Sequence, residues 1–430
     1  MANIKKINLA REHCDFGFDS KSSPSPIVIG QDKNGEDIIF ASEREIGAKR
    51  KYCASYFIGA QWDGSCNHAF IVVPKIENID FMEMFSVCFF NSQKEDCFAD
   101  IYHIDFDKPR IEIDSSICQA LTPILIVHFI ASVEKIVSKG LMHGYIQRSE
   151  NIKKKKGRIL VSQNIKRNEV AERHNKFYCQ YQEYSVDITE NKLIKKALLI
   201  SQSVLCVGNC KNERITTSLS RALVAFNDVD NQVERWQISK LKSNSIYKEY
   251  KETVELANQI LRQYDYSITN ASEIKNGKQK VPPFWINMPL LFEHYVLGIL
   301  KKDYGQQILY QFEGSLGEMP DFLFDGEEKL ILDTKYKATE TKLKDLDIIG
   351  QLCRYSRDER ILSQLGLDVS NGSFNQIIPC IFIYANGYLD DIENKKVVYN
   401  TSEMLKKENW KKFDGFYKFY SICINLPQKH

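Results

Sequence analysis

Two aspartates and a lysine within residues 319–337, MPDFLFDGEEKLILDTKYK, have the types and spacing to do chemistry. The segment reads as a β-hairpin, with apolar runs Phe322 to Phe324 and Leu330 to Leu332 around the turn DGEEK. Alternation along a strand puts Asp333 and Lys335 on one face and Leu332, Thr334 and Tyr336 on the other. If Phe324 pairs with Leu330, Asp321 lies directly opposite Asp333, with Cβ atoms roughly 4.5 to 5.5 Å apart. Two like charges at that distance repel. A divalent cation held between them removes the repulsion, and hard cations such as Mg2+ favour oxygen ligands. A register slipped by one residue would put the aspartates on opposite faces and abolish the site.

A metal ion held by Asp321 and Asp333 can make water a competent nucleophile at neutral pH, and the fixed ammonium of Lys335 can stabilise charge developing on a phosphate. Glu293 sits in the middle of FWINMPLLFEHYVLGILKKDYG, read as a nearly all-apolar helix, and offers a further carboxylate. Gln351 and Tyr355 stand four apart and so share one face of the next helix, where they can orient ligands or substrate backbone. The tripeptide D-x-K alone is common and reads equally as the solvated face of a surface hairpin. Here both hairpin arms are apolar, a carboxylate lies in an apolar helix upstream, and QLCRY follows downstream, so the metal-site reading is preferred.

Three stretches would position these residues. Residues 1–115 read as β-rich: SPIVIGQDKNGEDIIFAS suggests two strands around an Asn-Gly turn, and YFIGAQWDGSCNHAFIVVPKI repeats the pattern around Asp-Gly. Residues 116–280 read as a helical and basic-hairpin scaffold. Its first helix ends near Gly140 and contains His128, read as a packed core histidine; ITENKLIKKALLISQSVL and YKEYKETVELANQILRQY are amphipathic helices. Before these two helices NIKKKKGRILVSQNIKRN concentrates Lys153, Lys154, Lys155, Lys156, Arg158, Lys166 and Arg167, either a solvated turn or a contact for phosphates or an acidic partner. In residues 281–430 the order helix, three strands, helix, strand is that of an α/β domain.

Composition restricts the alternatives. A chain of 430 residues with 43% apolar and 27% charged residues is ordinary for a multidomain globular protein. The net charge of +2 gives no overall basic field, so any nucleic-acid surface must be local. The N-terminus MANIKKINLAREHCDFG lacks an apolar leader, no run approaches a membrane span, and twelve cysteines without an export signal suggest reduced thiols. A cytoplasmic protein is expected. Cys206 and Cys210 have no second pair at zinc-site spacing.

Pro320-Asp321 and Asp333-Thr334-Lys335, preceded by a helical Glu293 and followed by Gln351-x-x-x-Tyr355, resemble the PD-(D/E)xK nuclease superfamily in its branch with a Q-x-x-x-Y helix. LFEHYV, MPDFLF and LILDTKYK, with FIVVPKI, GRILVSQNIKRN and YCQYQEYSVDITENKLIKKAL upstream, resemble the McrC family, the nuclease subunit of the modification-dependent restriction system McrBC. The resemblance implies a restriction-endonuclease-like C-terminal domain that hydrolyses DNA with Mg2+. Asp321 and Asp333 would be metal ligands, Lys335 the catalytic lysine, and Glu293, Gln351 and Tyr355 supporting residues. It also implies a partner, an AAA+ GTPase of the McrB type that forms hexameric rings and is engaged by the family's N-terminal region. No GxxxxGK[ST] loop occurs here, consistent with GTP being bound by that partner. Two other functions remain open: a stand-alone or helicase-associated repair nuclease, and a regulatory adaptor whose nuclease fold is only structural.

Overall fold

The computed structural model describes residues 6–17, 25–31, 35–46, 49–91, 100–114, 121–208, 210–232, 248–269, 278–337, 346–367, 377–386, 397–398 and 404–429. The chain forms two compact units, one of residues 1–124 with 272–430, the other of residues 125–271. No helix among the described residues is long and apolar enough to cross a membrane.

In the first unit a five-stranded sheet takes the order Lys6–Arg11, His68–Val73, Phe57–Trp62, Phe284–Asn287, Tyr102–Ile104. Phe284–Asn287 belongs to the stretch read from sequence as the start of a helix. It is a strand because Asn287 caps the helix that follows: its side chain accepts the Leu290 N–H, and Pro289 occupies the first turn of Met288–Tyr304. This strand joins the N-terminal stretch to the C-terminal one, which sequence had separated at residues 115 and 281. Two glycines permit the join. A Cβ on Gly59 would lie 2.3 Å from the Phe284 carbonyl oxygen, and one on Gly298 would lie 2.4 Å from that of Val87, in the helix Phe81–Asn91. That helix was not expected in the β-rich stretch. Removing residues 1–115 would therefore strip partners from both Phe284–Asn287 and Met288–Tyr304, so the C-terminal stretch is not a free-standing domain.

The second sheet of this unit has seven strands. Its main path runs Ile308–Tyr310, Phe322–Asp325, Lys329–Lys335, Cys380–Ala385, Phe419–Ile424, Val397–Val398, with Lys411–Lys412 beside Phe419–Ile424. Lys329–Lys335 is central. It pairs antiparallel with Phe322–Asp325 and parallel with Cys380–Ala385, and Leu330 to Leu332 are fully buried. The expected long helix after the hairpin is two, Leu346–Tyr355 and Glu359–Gln364, because Asp358 caps the second by accepting the Arg360 and Ile361 N–H groups. Residues 342–345, with which that expected helix began, lie outside the described residues.

The second unit holds an antiparallel ribbon, Gly144–Ile152 with Phe177–Ser185, and the helices Thr189–Val207, Glu213–Ala225 and Lys248–Thr269. His128 is buried as expected, and its Nε2 stands 3.0 Å from Glu252 Oε1. Lys153 to Lys156 and Arg158 are exposed beyond the end of Gly144–Ile152. Arg158–Ile159 pairs with the far strand of the ribbon, so the basic segment is a third-strand return rather than a closed hairpin.

Candidate active site

The hairpin has the register that its turn length suggests. Phe324 is opposite Leu330 and Phe322 opposite Leu332, which leaves Asp321 across from Asp333 just beyond the paired residues. Asp333 is 1% exposed. Lys335 Nζ lies 2.6 Å from Asp333 Oδ2, with the lysine side chain 21% exposed. Among the described residues that ammonium is the one donor on Asp333, and Oδ1 has no partner. A buried carboxylate left so short of donors is costly unless something else supplies positive charge.

Asp321 is held differently. Its Oδ2 accepts the Thr334 backbone N–H at 2.6 Å and the Thr334 hydroxyl at 2.5 Å. Glu293 projects from the helix Met288–Tyr304, half-buried, and accepts a hydrogen bond from Gln311 Nε2 at 3.0 Å. Gln351 Nε2 donates to Tyr355 Oη at 2.7 Å, and Tyr355 Oη donates to the Met319 carbonyl at 2.9 Å. The Gln-Tyr pair thus fixes the backbone two residues before Asp321.

The three carboxyls share one electrostatic environment. Burial, then the Asp321 charge, pushes Asp333 up to about 7 against the pull of Lys335. Burial, then Asp321 and more weakly Asp333, pushes Glu293 up to about 8, opposed by hydrogen bonds from Gln311 and Tyr310. Burial raises Asp321 as well, opposed by Lys335 and Thr334. Tyr355 is pushed up to about 12, chiefly by burial and also by the charges of Asp333 and Asp321. Asp333 and Glu293, raised this far, are partly protonated near neutral pH, and a bound cation would favour their charged forms.

Among the described residues no three His, Cys, Asp or Glu side chains are grouped closely enough to form a metal cage. Mg2+ seldom needs one; it is commonly held by one or two carboxylates, with waters and substrate phosphates completing the shell. The opposed aspartates, with Asp333 short of donors, fit that mode.

Sequence reasoning named Asp321, Asp333, Lys335, Glu293, Gln351 and Tyr355, and the fold brings all six into this network. It missed Thr334, assigned to the far face, whose N–H and hydroxyl both reach Asp321. Gln311 was missed too. It sits at φ 46°, a left-handed conformation unusual for glutamine, with its side chain on Glu293 and its N–H donating to the Asp321 carbonyl at 3.0 Å. Nothing in the local sequence QFEGS marks that conformation. Lys153 to Lys156 and Arg158 belong to the other compact unit.

Opposed Asp321 and Asp333, with Lys335 on the central strand of an α/β sheet, form a site with the groups to take a divalent cation. The family described as McrBC 5-methylcytosine restriction system component matches residues 100–351, more than half of the 430, and the chain belongs to this family. Among solved structures, the chain is similar to one described as a refined half-complex from the tetradecameric assembly of Thermococcus gammatolerans McrB AAA+ hexamers with bound McrC. The identity there is 15%, over 89% of this chain and 80% of that one, at a TM-score of 0.37. A cryo-EM structure of the Thermococcus gammatolerans McrBC complex is 14% identical, over 69% of this chain and 88% of that one, at a TM-score of 0.32. Likenesses this distant transfer no residue to this chain. No curated protein matches.

Proposed function

We propose that this chain is the nuclease subunit of a modification-dependent restriction system, a PD-(D/E)xK endonuclease that cuts DNA with Mg2+. It would act in the cytoplasm beside an AAA+ GTPase of the McrB type whose hexameric ring binds the GTP. The observation that carries this reading is the buried Asp333, opposite Asp321, with the Lys335 ammonium 2.6 Å from Oδ2 and no partner for Oδ1 among the described residues.

Asp321 and Asp333 would hold the Mg2+, which when bound supplies positive charge to the scissile phosphate and acidifies water. Lys335, anchored by Asp333, presents its ammonium to the phosphate and stabilises charge that develops there. Thr334 orients the Asp321 carboxylate, and Gln311 holds Glu293. Tyr355, steadied by Gln351, ties down the Met319 carbonyl and so restricts the loop that delivers Asp321. Recognition of 5-methylcytosine is assigned to the partner, because the residues here address phosphate rather than base. Lys153, Lys154, Lys155, Lys156 and Arg158 would contact DNA phosphates.

The test is cleavage of 5-methylcytosine-containing and unmodified DNA by this chain, alone and with its McrB-type partner, with Mg2+ and GTP each omitted in turn. Cutting of modified DNA that needs partner, Mg2+ and GTP together is expected. Cutting that persists in a chelator would overturn the metal assignment. Cutting by the chain alone, independent of GTP, would favour a stand-alone repair nuclease.

A further inference from the structure

Glu12 is a buried carboxylate that the cleavage site does not use, and its contacts lead back to that site. It follows the strand Lys6–Arg11 and is 2% exposed. Lys6–Arg11 and His68–Val73 run parallel with Arg11 beside Val73, so their C-terminal ends emerge together and bring Glu12 next to Lys75. The Glu12 N–H donates to the Val73 carbonyl at 3.1 Å, and the Lys75 N–H donates to Glu12 Oε2 at 2.9 Å.

Both residues reach Tyr336, the residue after Lys335. Tyr336 Oη donates to Glu12 Oε2 at 3.4 Å. Lys75 Nζ donates to the Tyr336 carbonyl at 2.7 Å and lies 3.8 Å from the centre of its ring. The strand turns sharply here, with the Lys337 N–H donating to the Lys335 carbonyl at 2.7 Å, so Tyr336 is the centre of a tight turn. Its ring packs against Phe292, the neighbour of Glu293, with centroids 5.9 Å apart.

Ordinary packing between two segments would be served by apolar side chains. Instead, Glu12 Oε1 has no hydrogen-bond partner, and burial pushes the carboxyl up to about 7 despite Lys75. A buried acid so incompletely satisfied destabilises the fold and persists where the geometry it holds is needed.

We propose that Glu12 and Lys75 are positioning residues that clamp the end of the catalytic strand through Tyr336 and so fix the Lys335 ammonium. The N-terminal sheet is then part of the cleavage machinery. This rests on the nuclease reading above.

Full-length Lys75→Met, Tyr336→Phe and Glu12→Gln proteins are assayed for steady-state DNA cleavage with the McrB-type partner, Mg2+ and GTP. Asp333→Ala is the control, and partner GTPase stimulation and thermal melting are read in parallel. Lys75→Met should lower kcat on the order of tenfold with KM for DNA unchanged, since small misplacements of a catalytic group carry penalties of this size. GTPase stimulation should stay at the wild-type level. Tyr336→Phe keeps the ring and the carbonyl and should lose roughly threefold. Glu12→Gln keeps acceptors for Lys75 and Tyr336 and should stay near wild type, whereas Glu12→Val should match Lys75→Met. A folded Lys75→Met enzyme with wild-type kcat, or one whose defect lies in KM, overturns the clamp while a dead Asp333→Ala leaves the site reading intact. If Lys75→Met does not fold, Tyr336→Phe with unaltered kcat does the same. An active Asp333→Ala control overturns the site reading and the clamp together.

Discussion

The strand Lys329–Lys335 and the ribbon Gly144–Ile152 with Phe177–Ser185 both set acids beside bases on β structure, yet the consequences differ. On the ribbon, Arg148 stands 2.6 Å from Glu183 and 3.4 Å from Glu150, every one of these side chains more than a third exposed. Lys156 lies 4.0 Å from the centre of the Tyr181 ring, and Arg167 4.6 Å from that of Tyr178. Water screens such pairs, so each adds little to stability. On Lys329–Lys335 Asp333 is buried against Asp321 with a single ammonium for partner, and burial pushes it up to about 7. Burial, not the number of charges, separates a screened surface from a site whose acids are strongly perturbed.

The largest effect that would break this contrast is at Asp333. Asp333→Asn should reduce cleavage by about three orders of magnitude or more, as loss of a ligand for the ion that makes the nucleophile implies, with partner binding retained. The same variant should melt no lower than wild type, because it removes a buried charge that the fold satisfies poorly. A variant that cuts normally would show the buried carboxylates to be structural; cleavage assays and melting curves on one preparation decide it.

The second effect concerns pH. The ordinary values of Asp333 and Glu293 are 3.8 and 4.5, and in the fold they rise to about 7 and about 8. Between these limits the folded state holds more protons than the unfolded one, so stability of the metal-free protein falls as pH rises from about 4 to about 8 and then levels off. Mg2+ should restore stability most at the alkaline end. Denaturation midpoints across that range, with and without Mg2+, should show the slope, and Asp333→Asn should flatten it. A slope unchanged in Asp333→Asn would remove Asp333 as its source and leave Glu293 and Glu12.

A smaller effect is expected at Tyr355. Tyr355→Phe deletes the hydrogen bond to the Met319 carbonyl without touching a carboxylate, and should slow cleavage on the order of tenfold through misplacement of Asp321. Mg2+ affinity measured by calorimetry should change little; a large loss of affinity would instead make the tyrosine part of the cation site.

The smallest effect on chemistry belongs to the ribbon. Replacing Lys153, Lys154, Lys155 and Lys156 by Ala should flatten the salt dependence of DNA binding by up to about 0.9 per lost phosphate contact, with cleavage at saturating DNA unimpaired. Unchanged DNA affinity with a weakened complex with the GTPase would assign the lysines to the partner.

What the sequence by itself determined was the hairpin. Apolar runs around the turn DGEEK made a hairpin legible but left its register open; the fold pairs Phe324 with Leu330, and that pairing sets Asp321 across from Asp333 with Lys335 nearby. The helical spacing of Gln351 and Tyr355 was legible for the same reason, since both depend on periods that local sequence carries. The split into units was decided elsewhere. Phe284–Asn287 is an apolar run that fits a helix or a strand; the Asn287 cap starts the helix after it, and pairing with Phe57–Trp62 and Tyr102–Ile104, far earlier in the chain, makes it a strand. The left-handed Gln311 and the meeting of Glu12, Lys75 and Tyr336 have no local signature either. They arise where strands distant in the chain end side by side, and such a meeting is set by packing of whole sheets rather than by the period of any one segment.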